Sequence, residues 1–307
     1  MRKILGVNIS HNCSFAYFEN SILKEYYEED RFNKIKHFMP PNPFFEEYKY
    51  IALKKFKDIV FDEVVFISFD RGNILIEKPY IDNVLKQLKY KNFMFYQGEH
   101  HLSHAMSGYY FSKFKEAIAV ITDGGGERIL DQNFQTMESI IEINENNYKK
   151  YYQCATNIRA DPFTEFEKRI REVSTRKNNV DIKLTNQKIA GIKYSQYVLE
   201  AGFKEHEEGQ LMGIAAYKNK NTDIDKNVLE IAHKAQEETL QERIQLIEKA
   251  LTYSNCKNII LSGGYHLNCS NNFKILKHFP KLNIFVDPIP YDGGTAVGIA
   301  YYHENYI

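Results

Sequence analysis

The sequence has no tryptophan, only four cysteines and no excess charge of either sign. The cysteines are scattered (Cys13, Cys154, Cys256 and Cys269) and form no C-x-x-C pair, so neither a disulfide framework nor a thiolate zinc site is expected. This cysteine usage favours the reducing cytoplasm. Because 40 Lys and Arg balance 40 Asp and Glu, the composition excludes a globally basic coat for nucleic acid.

Long hydrophobic runs are missing as well. The first apolar run covers residues 4–7 and ends at Asn8, which is too short for a signal-peptide core or a membrane-spanning helix. We therefore expect a cytoplasmic protein without a membrane partner. The 307 residues, 43% of them hydrophobic and 14% aromatic, are enough for one large domain or two closely packed ones.

Short segments rich in Val and Ile alternate with helical patterns, which predicts an α/β fold. The predicted strands cover residues 3–8, 14–19, 22–29, 62–69, 93–96, 117–123, 258–261 and 283–286. The predicted helices cover residues 44–57, 81–88, 100–111, 185–199, 208–217, 224–252, 267–277 and the stretch from 293 onward. We expect two α/β halves, residues 1–147 and 148–307, whose glycine-rich turns face one cleft.

The strongest local signal is the segment EHHLSH, residues 99–104. His100 and His104 are four residues apart, so a helix would present both imidazoles on one face, as helical metal sites require. His101 points elsewhere and is better placed behind the ligands or against a substrate. The alternative is a hydrogen-bonded surface cluster.

Oxygen ligands are available at Asp123 in ITDGGGE and at Asp292 in YDGGTA. Each follows a predicted strand and precedes glycines that let a ligand approach the backbone. Each Asp taken alone would be interpreted as a cap or turn residue. Two His and two Asp together suit Fe(II), Mn(II) or Zn(II), and the sequence does not choose among them.

The glycine runs 124–126 and 263–264 offer backbone N–H groups to phosphate oxygens, although tight turns also need glycine. His11 follows the first strand and would face the same cleft. There it would serve as a general base or bind a phosphate, or else only satisfy backbone groups.

Residues 148–193 carry 11 Lys and Arg against 5 Asp and Glu, a net charge near +6, with Tyr and Phe interleaved. Two interpretations stay open: a solvated surface excursion, or a docking surface for an anionic partner. The candidate acceptor-binding residues in this segment are Lys168, Arg169, Arg171 and Arg176.

Seven ordered blocks of the sequence resemble the O-carbamoyltransferases that modify nodulation factors, tobramycin and cephamycins. The opening block is ILGVNISHNCSFAYFENSILKEYYEEDRFNKIKHF. The later blocks are EHHLSHAMSGYYFS, ITDGGGE, YSQYVLEAGF, EEGQLMGIAAY, LSGGYHLNCSNNFKI and YDGGTAVGIA. The resemblance runs from about residue 4 to residue 300, essentially the whole chain.

The resemblance implies an actin-like ATPase (ASKHA) fold, similar to the large subunit of the threonylcarbamoyl-tRNA synthases. It also implies transfer of a carbamoyl group, activated as carbamoyladenylate, to a hydroxyl. The implied metal ligands are His100, His104, Asp123 and Asp292. The implied nucleotide-lining residues are Gly124, Gly125, Gly263, Gly264 and Asn268. His11 would be the transfer histidine, and Lys36 would contact the activated carbamoyl group.

The chain departs from the family pattern at Asn12, where Asp usually follows the histidine, and at Gln210, where Lys usually follows the glycine. Both changes would weaken nucleotide contacts. The chain also ends at Ile307, without room for the C-terminal domain that makes carbamoyladenylate from carbamoyl phosphate and ATP in related enzymes. We expect either a separate carbamoyladenylate-forming protein or direct use of carbamoyl phosphate.

The sequence thus predicts a metal-dependent O-carbamoyltransferase. Its expected acceptor is the hydroxymethyl group of a modified nucleotide or DNA base, since the basic segment offers phosphate contacts and stacking rings. The alternative acceptor is a sugar or natural product. Two alternatives stay open. One is a non-catalytic nucleotide-binding ASKHA domain, and the other is a tRNA threonylcarbamoyl-type transferase.

Overall fold

Two β-sheets with helices between and around them form the framework of the protein. A computed structural model describes residues 1–68, 74–129, 134–157, 172–218 and 220–307. The α/β class expected from the sequence is confirmed.

The first sheet contains β1 (Lys3–Asn8), β2 (Ser14–Glu19), β3 (Ile22–Glu28), β4 (Val60–Ile67) and β5 (Lys89–Tyr96). Their order across the sheet is β3-β2-β1-β4-β5. The first three strands form an antiparallel meander, and β4 and β5 run parallel to β1. β1 is buried on both faces because helices and loops cover both sides of the sheet, which explains its continuous apolar run.

The second sheet repeats this plan with β6 (Glu116–Thr122), β8 (Phe134–Asn144), β9 (Asn147–Asn157), β12 (Asn258–Ser262) and β13 (Asn283–Val286). Its central order β9-β8-β6-β12-β13 again combines an antiparallel meander with two parallel strands. β10 (Glu172–Lys177) and β11 (Val180–Thr185) extend the sheet beyond β9, and β7 (Arg128–Ile129) pairs with β8.

Two helices occupy equivalent positions between the sheets. α3 (His100–Ser112) follows β5, and α8 (Thr295–Tyr306) follows β13. The two helices pack together in the largest buried apolar cluster. Gly298 of α8 lies so close to the carbonyl of Ser103 that a Cβ there would overlap it. Both helices begin at the carboxyl ends of parallel strands, where ligand sites form in sheets of this kind.

The remaining helices lie outside the central α3–α8 pair. α1 (Asp30–Asn33) and α2 (Ile74–Leu85) belong to the first half. α4 (Ala190–Glu200), α5 (Glu208–Ala215), α6 (Lys226–Tyr253) and α7 (Cys269–His278) belong to the second, and α4 and α5 pack against α6. Asp225 caps α6 by accepting hydrogen bonds from the N–H groups of Asn227 and Val228. Within the described ranges, none of the helices has the length and apolarity needed to cross a membrane.

The helix expected over residues 44–57 is wrong. The structure has only a 3₁₀ turn there, Ala52–Phe56. The carboxylate of buried Glu29 accepts the N–H groups of Ile51 and Ala52 at 2.7 and 2.9 Å, and it also accepts the Tyr48 hydroxyl at 3.0 Å. These side-chain contacts organise the segment in place of helical hydrogen bonds.

The second half differs from the expectation at its start. The predicted helix over 185–199 begins only at Ala190, because residues up to Thr185 belong to β11. The pattern did not predict β8, β9, β10 or β11. The expected boundary between residues 147 and 148 falls at the first residues of β9, inside the β8–β9 hairpin. The second sheet itself begins at Glu116.

Candidate active site

The four residues expected to bind a metal converge at the junction of the two halves. His100 and His104 lie on the first turns of α3, Asp123 follows β6, and Asp292 opens the turn before α8. One ligand atom from each residue lies within 4.8 Å of the other three, in a grouping that could hold a metal ion. The two histidines are fully buried, and Asp123 is nearly so.

The distances are short in every direction across this four-residue cluster. His100 Nε2 lies 3.2 Å from His104 Nε2, 3.3 Å from an Asp123 oxygen and 3.6 Å from an Asp292 oxygen. His104 Nε2 lies 3.7 Å from each carboxylate. Four atoms held about 2.0–2.2 Å from one centre are about 3–3.5 Å apart, so a bound ion would draw these atoms slightly closer together.

The histidines and aspartates of the cluster shift one another's pKa values. Burial lowers the pKa of His100, but the carboxylates of Asp292 and Asp123 outweigh it and hold that pKa well above the usual value. The pKa of His104 is raised by the same balance. Burial raises the pKa of Asp123, but both histidines outweigh it and hold that pKa well below the usual value. The carboxylates are therefore ionised at neutral pH and require positive charge beside them.

Further contacts orient these ligands from behind. The backbone N–H of Gly264 donates to Asp123 Oδ1 at 3.0 Å. Gly263 adopts a left-handed backbone (φ +96°) against Thr122, where a side chain would not fit. The Thr295 hydroxyl donates to the carbonyl of Asp292 at 2.6 Å. Such supporting hydrogen bonds fix the orientation of metal ligands in proteins.

His101 lies behind the cluster, as its position on the helix predicted. Its Nδ1 is 2.7 Å from the Ser139 hydroxyl, and its backbone N–H donates to Glu127 at 3.1 Å. Burial lowers the pKa of His101 to about 4, so the ring is neutral at physiological pH. Gly126 lies directly against this ring, and a Cβ there would overlap it.

The glycine turns have different environments. Gly124 is exposed, and a Cβ there would meet only open space. The N–H of Gly264 is already bonded to Asp123 and is not free for a phosphate oxygen. The Asn268 side chain caps α7, accepting from the N–H of Asn271 at 3.1 Å and donating to Gln236 at 3.0 Å.

The loop after β1 connects His11 to this cluster. The buried Asn8 amide donates to the carbonyls of His11 and Asp292, at 2.9 and 3.1 Å. Because one amide bonds both carbonyls, the His11 backbone is held beside that of Asp292. Asn8 was not singled out from the sequence, although its place at the end of β1 matches that of Asp123 after β6.

Other site features were also missed by the sequence analysis. Glu28 accepts the hydroxyls of Tyr26 and Tyr291, at 2.9 and 2.5 Å, next to Asp292. The rings of His37 and His206 contact that of His11. No single periodicity connects these residues, because they come from β3 and from separate loops that meet only in the folded chain. Lys36 is exposed on the loop that carries His37.

The described part of the basic segment, residues 148–157 and 172–193, lies mainly in the second sheet. Its described residues belong mainly to β9, β10, β11 and the start of α4. Lys150 lies 2.7 Å from Glu99, Lys193 lies 2.9 Å from Glu238, and Arg176 lies 3.6 Å from Asp181. Part of the positive charge is thus neutralised locally. The candidate residues Lys168, Arg169 and Arg171 lie outside the described residues.

Comparison with known proteins agrees with this architecture. Over 99% of its length the chain superposes on full-length HypF in its phosphate- and nucleotide-bound form, covering 55% of that chain, with a TM-score of 0.57 and 12% identity. It also superposes on a ROK family protein of Streptococcus pneumoniae in complex with sucrose, covering 98% of both chains, with a TM-score of 0.53 and 12% identity. These likenesses confirm the actin-like ATPase (ASKHA) fold.

The sequence profile of the carbamoyltransferase N-terminus family matches residues 23–250 and 223–301. The chain therefore belongs to this family. The uncharacterized protein MJ1051 of Methanocaldococcus jannaschii is 25% identical over 316 aligned positions, which cover 96% of this chain and 56% of that protein. The chain spans about half the length of the curated relatives it matches.

Proposed function

We propose that this protein transfers a carbamoyl group from an activated donor to an acceptor hydroxyl. Membership of the carbamoyltransferase N-terminus family supports the class of reaction. The observation that carries the proposal is the buried His100, His104, Asp123 and Asp292 cluster, to which Asn8 ties the His11 loop. A nearby base and charge stabilisation at a carbonyl oxygen are the two requirements for attack on a poor carbamoyl electrophile.

The cluster is proposed to hold one divalent Fe, Mn or Zn ion. Two imidazoles and two ionised carboxylates form a donor set that each of these metals accepts. When bound, such an ion acts as a Lewis acid toward a carbonyl or phosphoryl oxygen. The protein itself supplies the fixed ligand positions, the hydrogen bonds from Gly264 and Thr295 behind them, and a site shielded from bulk water.

His11 is proposed to accept the proton of the acceptor hydroxyl. Its Nε2 is buried and has no hydrogen-bond partner among the described residues, so this nitrogen is not already bonded to a protein group. The hydroxyl oxygen then forms a bond to the carbamoyl carbon while the bond to the phosphate or adenylate leaving group breaks. The displaced anion leaves with the electron pair of that bond. Lys36 is proposed to contact the carbamoyl group from the neighbouring loop.

The nucleotide part of the donor, ATP or carbamoyladenylate, is proposed to bind along the glycine turns of the second half. Gly124 and Gly125 border open space or a flexible side chain, and Gly263, Gly264 and Asn268 lie on the turn before α7. A cavity of about 410 Å³ adjoins this turn, lined by residues of α6 and α7 and by the end of α5. Lys218 and Lys274 line this cavity, and each is paired with a carboxylate, of Glu230 and Glu237 respectively.

The source of the activated donor is a further part of the proposal. Because the chain spans about half of its curated relatives, we propose that carbamoyladenylate is made from carbamoyl phosphate and ATP by sequences outside it or by a separate protein. The alternative is that carbamoyl phosphate itself serves as the donor.

One assay separates these donors. The purified protein is incubated with carbon-labelled carbamoyl phosphate, with and without ATP, and with carbamoyladenylate, in the presence of candidate acceptors. Label in the acceptor with carbamoyl phosphate alone shows direct use, and label only with carbamoyladenylate shows an external activating step. No label from any donor, with metal present, would leave a non-catalytic nucleotide-binding domain as the better interpretation.

The acceptor is proposed to be the hydroxymethyl group of a modified nucleotide or DNA base. The positive charge of residues 148–193 and the aromatic residues among them favour an anionic, stacking acceptor. Transfer to DNA that contains hydroxymethylated bases should then fall steeply as salt is added. The double variant Arg169→Ala and Arg171→Ala should reduce this dependence more than Arg176→Ala, whose side chain already pairs with Asp181. Efficient, salt-insensitive carbamoylation of a sugar, with no activity on modified DNA, would refute this choice.

A further inference from the structure

Three histidine rings meet at the edge of the cleft. His11 follows β1, His37 lies on the loop after α1, and His206 lies between α4 and α5. The ring centroids of His11 and His37 are 5.3 Å apart, with only 7° between their planes. The His206 ring lies 5.3 Å from His11 and 4.7 Å from His37, so that each ring contacts the other two.

The backbone of this three-histidine cluster is unusual. His37 and His206 have φ values of +56° and +67°, in the left-handed region that residues other than glycine rarely occupy. Asn12, next to His11, has φ +54°. Such conformations cost free energy and persist where surrounding contacts enforce them, often at functional sites. The left-handed conformations of His37 and His206 place their rings against that of His11, the proposed transfer histidine.

The cluster bridges the two halves of the molecule. His11 and His37 belong to the half built on the first sheet, and His206 belongs to the half built on the second. His206 is exposed, whereas His11 and His37 are partly buried and their Nε2 atoms are inaccessible to solvent. His206 therefore forms the outer cover of the pair.

The charges that face His37 favour its neutral form. Burial lowers the pKa of His37 to about 4, helped by His11, His206 and Lys36, while Asp30 acts in the opposite direction. Asn12 Nδ2 lies 3.5 Å from His37 Nδ1, so an uncharged amide is its neighbour there. A proton accepted by His11 thus meets an uncharged, parallel ring rather than a second cation.

We infer that His37 and His206 are positioning residues, which hold the His11 ring in its reactive orientation, and that His206 completes this arrangement from across the cleft. The inference rests on the proposed function of His11. Misplacement of a reacting group by about 1 Å costs on the order of 100-fold in rate, so contacts of this kind control catalysis without touching the substrate.

The test compares ring-removing and ring-preserving variants. His206→Asn and His37→Asn remove a ring while keeping a residue that tolerates a left-handed backbone, and His206→Phe and His37→Phe keep an aromatic ring. His278→Asn, at the exposed end of α7, is the matched control. The first readout needs no substrate: the rate at which diethyl pyrocarbonate modifies His11, followed by peptide mass spectrometry.

With His206→Asn, we expect His11 to be modified at least about threefold faster, because its cover is removed. His206→Phe and His278→Asn should keep the wild-type rate of modification. In carbamoyl transfer, both Asn variants should lower kcat about tenfold or more, with KM for the acceptor unchanged, and both Phe variants should retain most of kcat. Melting temperatures identify any variant that acts only through folding.

The inference is overturned if His206→Asn leaves both the modification rate of His11 and kcat unchanged, or if the Phe variants are as impaired as the Asn variants. Failure of the proposed function looks different. In that case the wild-type protein itself transfers no carbamoyl group, while the modification rates still report whether His206 covers His11.

Discussion

In the first half of the molecule, β1 ends at Asn8, whereas in the second half the equivalent strand β6 is followed by Asp123. Asn8 uses its neutral amide to bond the carbonyls of His11 and Asp292. Asp123 instead presents an ionised carboxylate to His100. The corresponding strand ends of the two repeats therefore have different roles: one shapes the loop that carries His11, and the other contributes charge to the cluster.

The helices between the sheets differ in the same way. α3 brings two imidazoles on its first turns, while α8 is preceded by the carboxylate of Asp292. One helix thus provides two imidazole nitrogens, and the turn before the other provides a carboxylate oxygen. The cluster takes its ligands from both repeats, so it exists only when the halves are packed together around α3 and α8.

Exchanging Asp and Asn at the two strand ends tests directly whether the charge of Asp123 and the amide of Asn8 have different roles. Asp123→Asn keeps the acceptor for the Gly264 N–H but removes the charge that the proposed metal needs. We expect purified Asp123→Asn to lose stoichiometric metal by elemental analysis, and to lose carbamoyl transfer with it. His104→Ala should do the same.

Asn8→Asp is the matched control for this exchange. It removes a buried donor from three carbonyls, which should cost about 1–3 kcal/mol of stability but leave the metal ligands in place. Full metal content in Asp123→Asn, or complete metal loss in Asn8→Asp, would contradict the division of functions between the two strand ends.

The next prediction concerns the base in the first half. His11→Asn should leave folding, metal content and nucleotide binding intact while lowering kcat for transfer by about 100- to 10,000-fold. Turnover near the wild-type value in this variant would exclude His11 as the proton acceptor. A lower melting temperature with unchanged turnover would instead identify a structural histidine.

Much of the cluster was predictable because its signals are local. The spacing of His100 and His104 places them on one helix face. Asp123 follows an apolar strand, Asp292 follows a turn, and glycines come directly after each aspartate. The structure brings all four within 4.8 Å. The strands of the first sheet were predicted for a related reason, since short apolar runs between turn residues mark buried strands.

The rest depends on contacts between distant segments. The β8–β9 hairpin carries charged residues along long strands, and its apolar face is evident only when it pairs with β6. Lys150 resembles a surface charge in the sequence, yet its pKa is raised because Glu127 and Glu99 outweigh the effect of its burial. His37 and His206 are 169 positions apart, and only the closure of the fold makes them neighbours.

Glycine-to-alanine substitutions in α8 and α3 test whether the two central helices are packed equally tightly. Gly298→Ala would drive a methyl group into the backbone carbonyl of Ser103, which cannot move alone, whereas Gly108→Ala on α3 meets the side chain of Ile260. Overpacking of this kind costs about 1–3 kcal/mol, which corresponds to a fall in melting temperature of roughly 5 °C. We expect the larger fall for Gly298→Ala. Equal or reversed effects in thermal unfolding would show that α8 adjusts as readily as α3.

The pH dependence of unfolding separates buried histidines of the second half from exposed ones. Burial lowers the pKa of His266 to about 3, although its Nδ1 lies 3.0 Å from the Asn272 oxygen. A histidine whose pKa is depressed on folding stabilises the native state above its unfolded pKa of about 6.5, and this contribution is lost as the pH falls toward the folded pKa. Each proton taken up only by the unfolded chain contributes a slope of about 1.4 kcal/mol per pH unit.

His266→Asn should therefore flatten the decrease in unfolding free energy between pH 6.5 and about 4, because it removes one group that the unfolded chain protonates and the folded chain does not. Urea denaturation at several pH values measures this slope, and His278→Asn at the exposed end of α7 serves as the control. The control should leave the slope unchanged, since its side chain lies on the surface of the protein. If His266→Asn gives the wild-type slope, His266 must already be protonated in the folded protein. The conclusion that its buried imidazole is neutral would then be wrong.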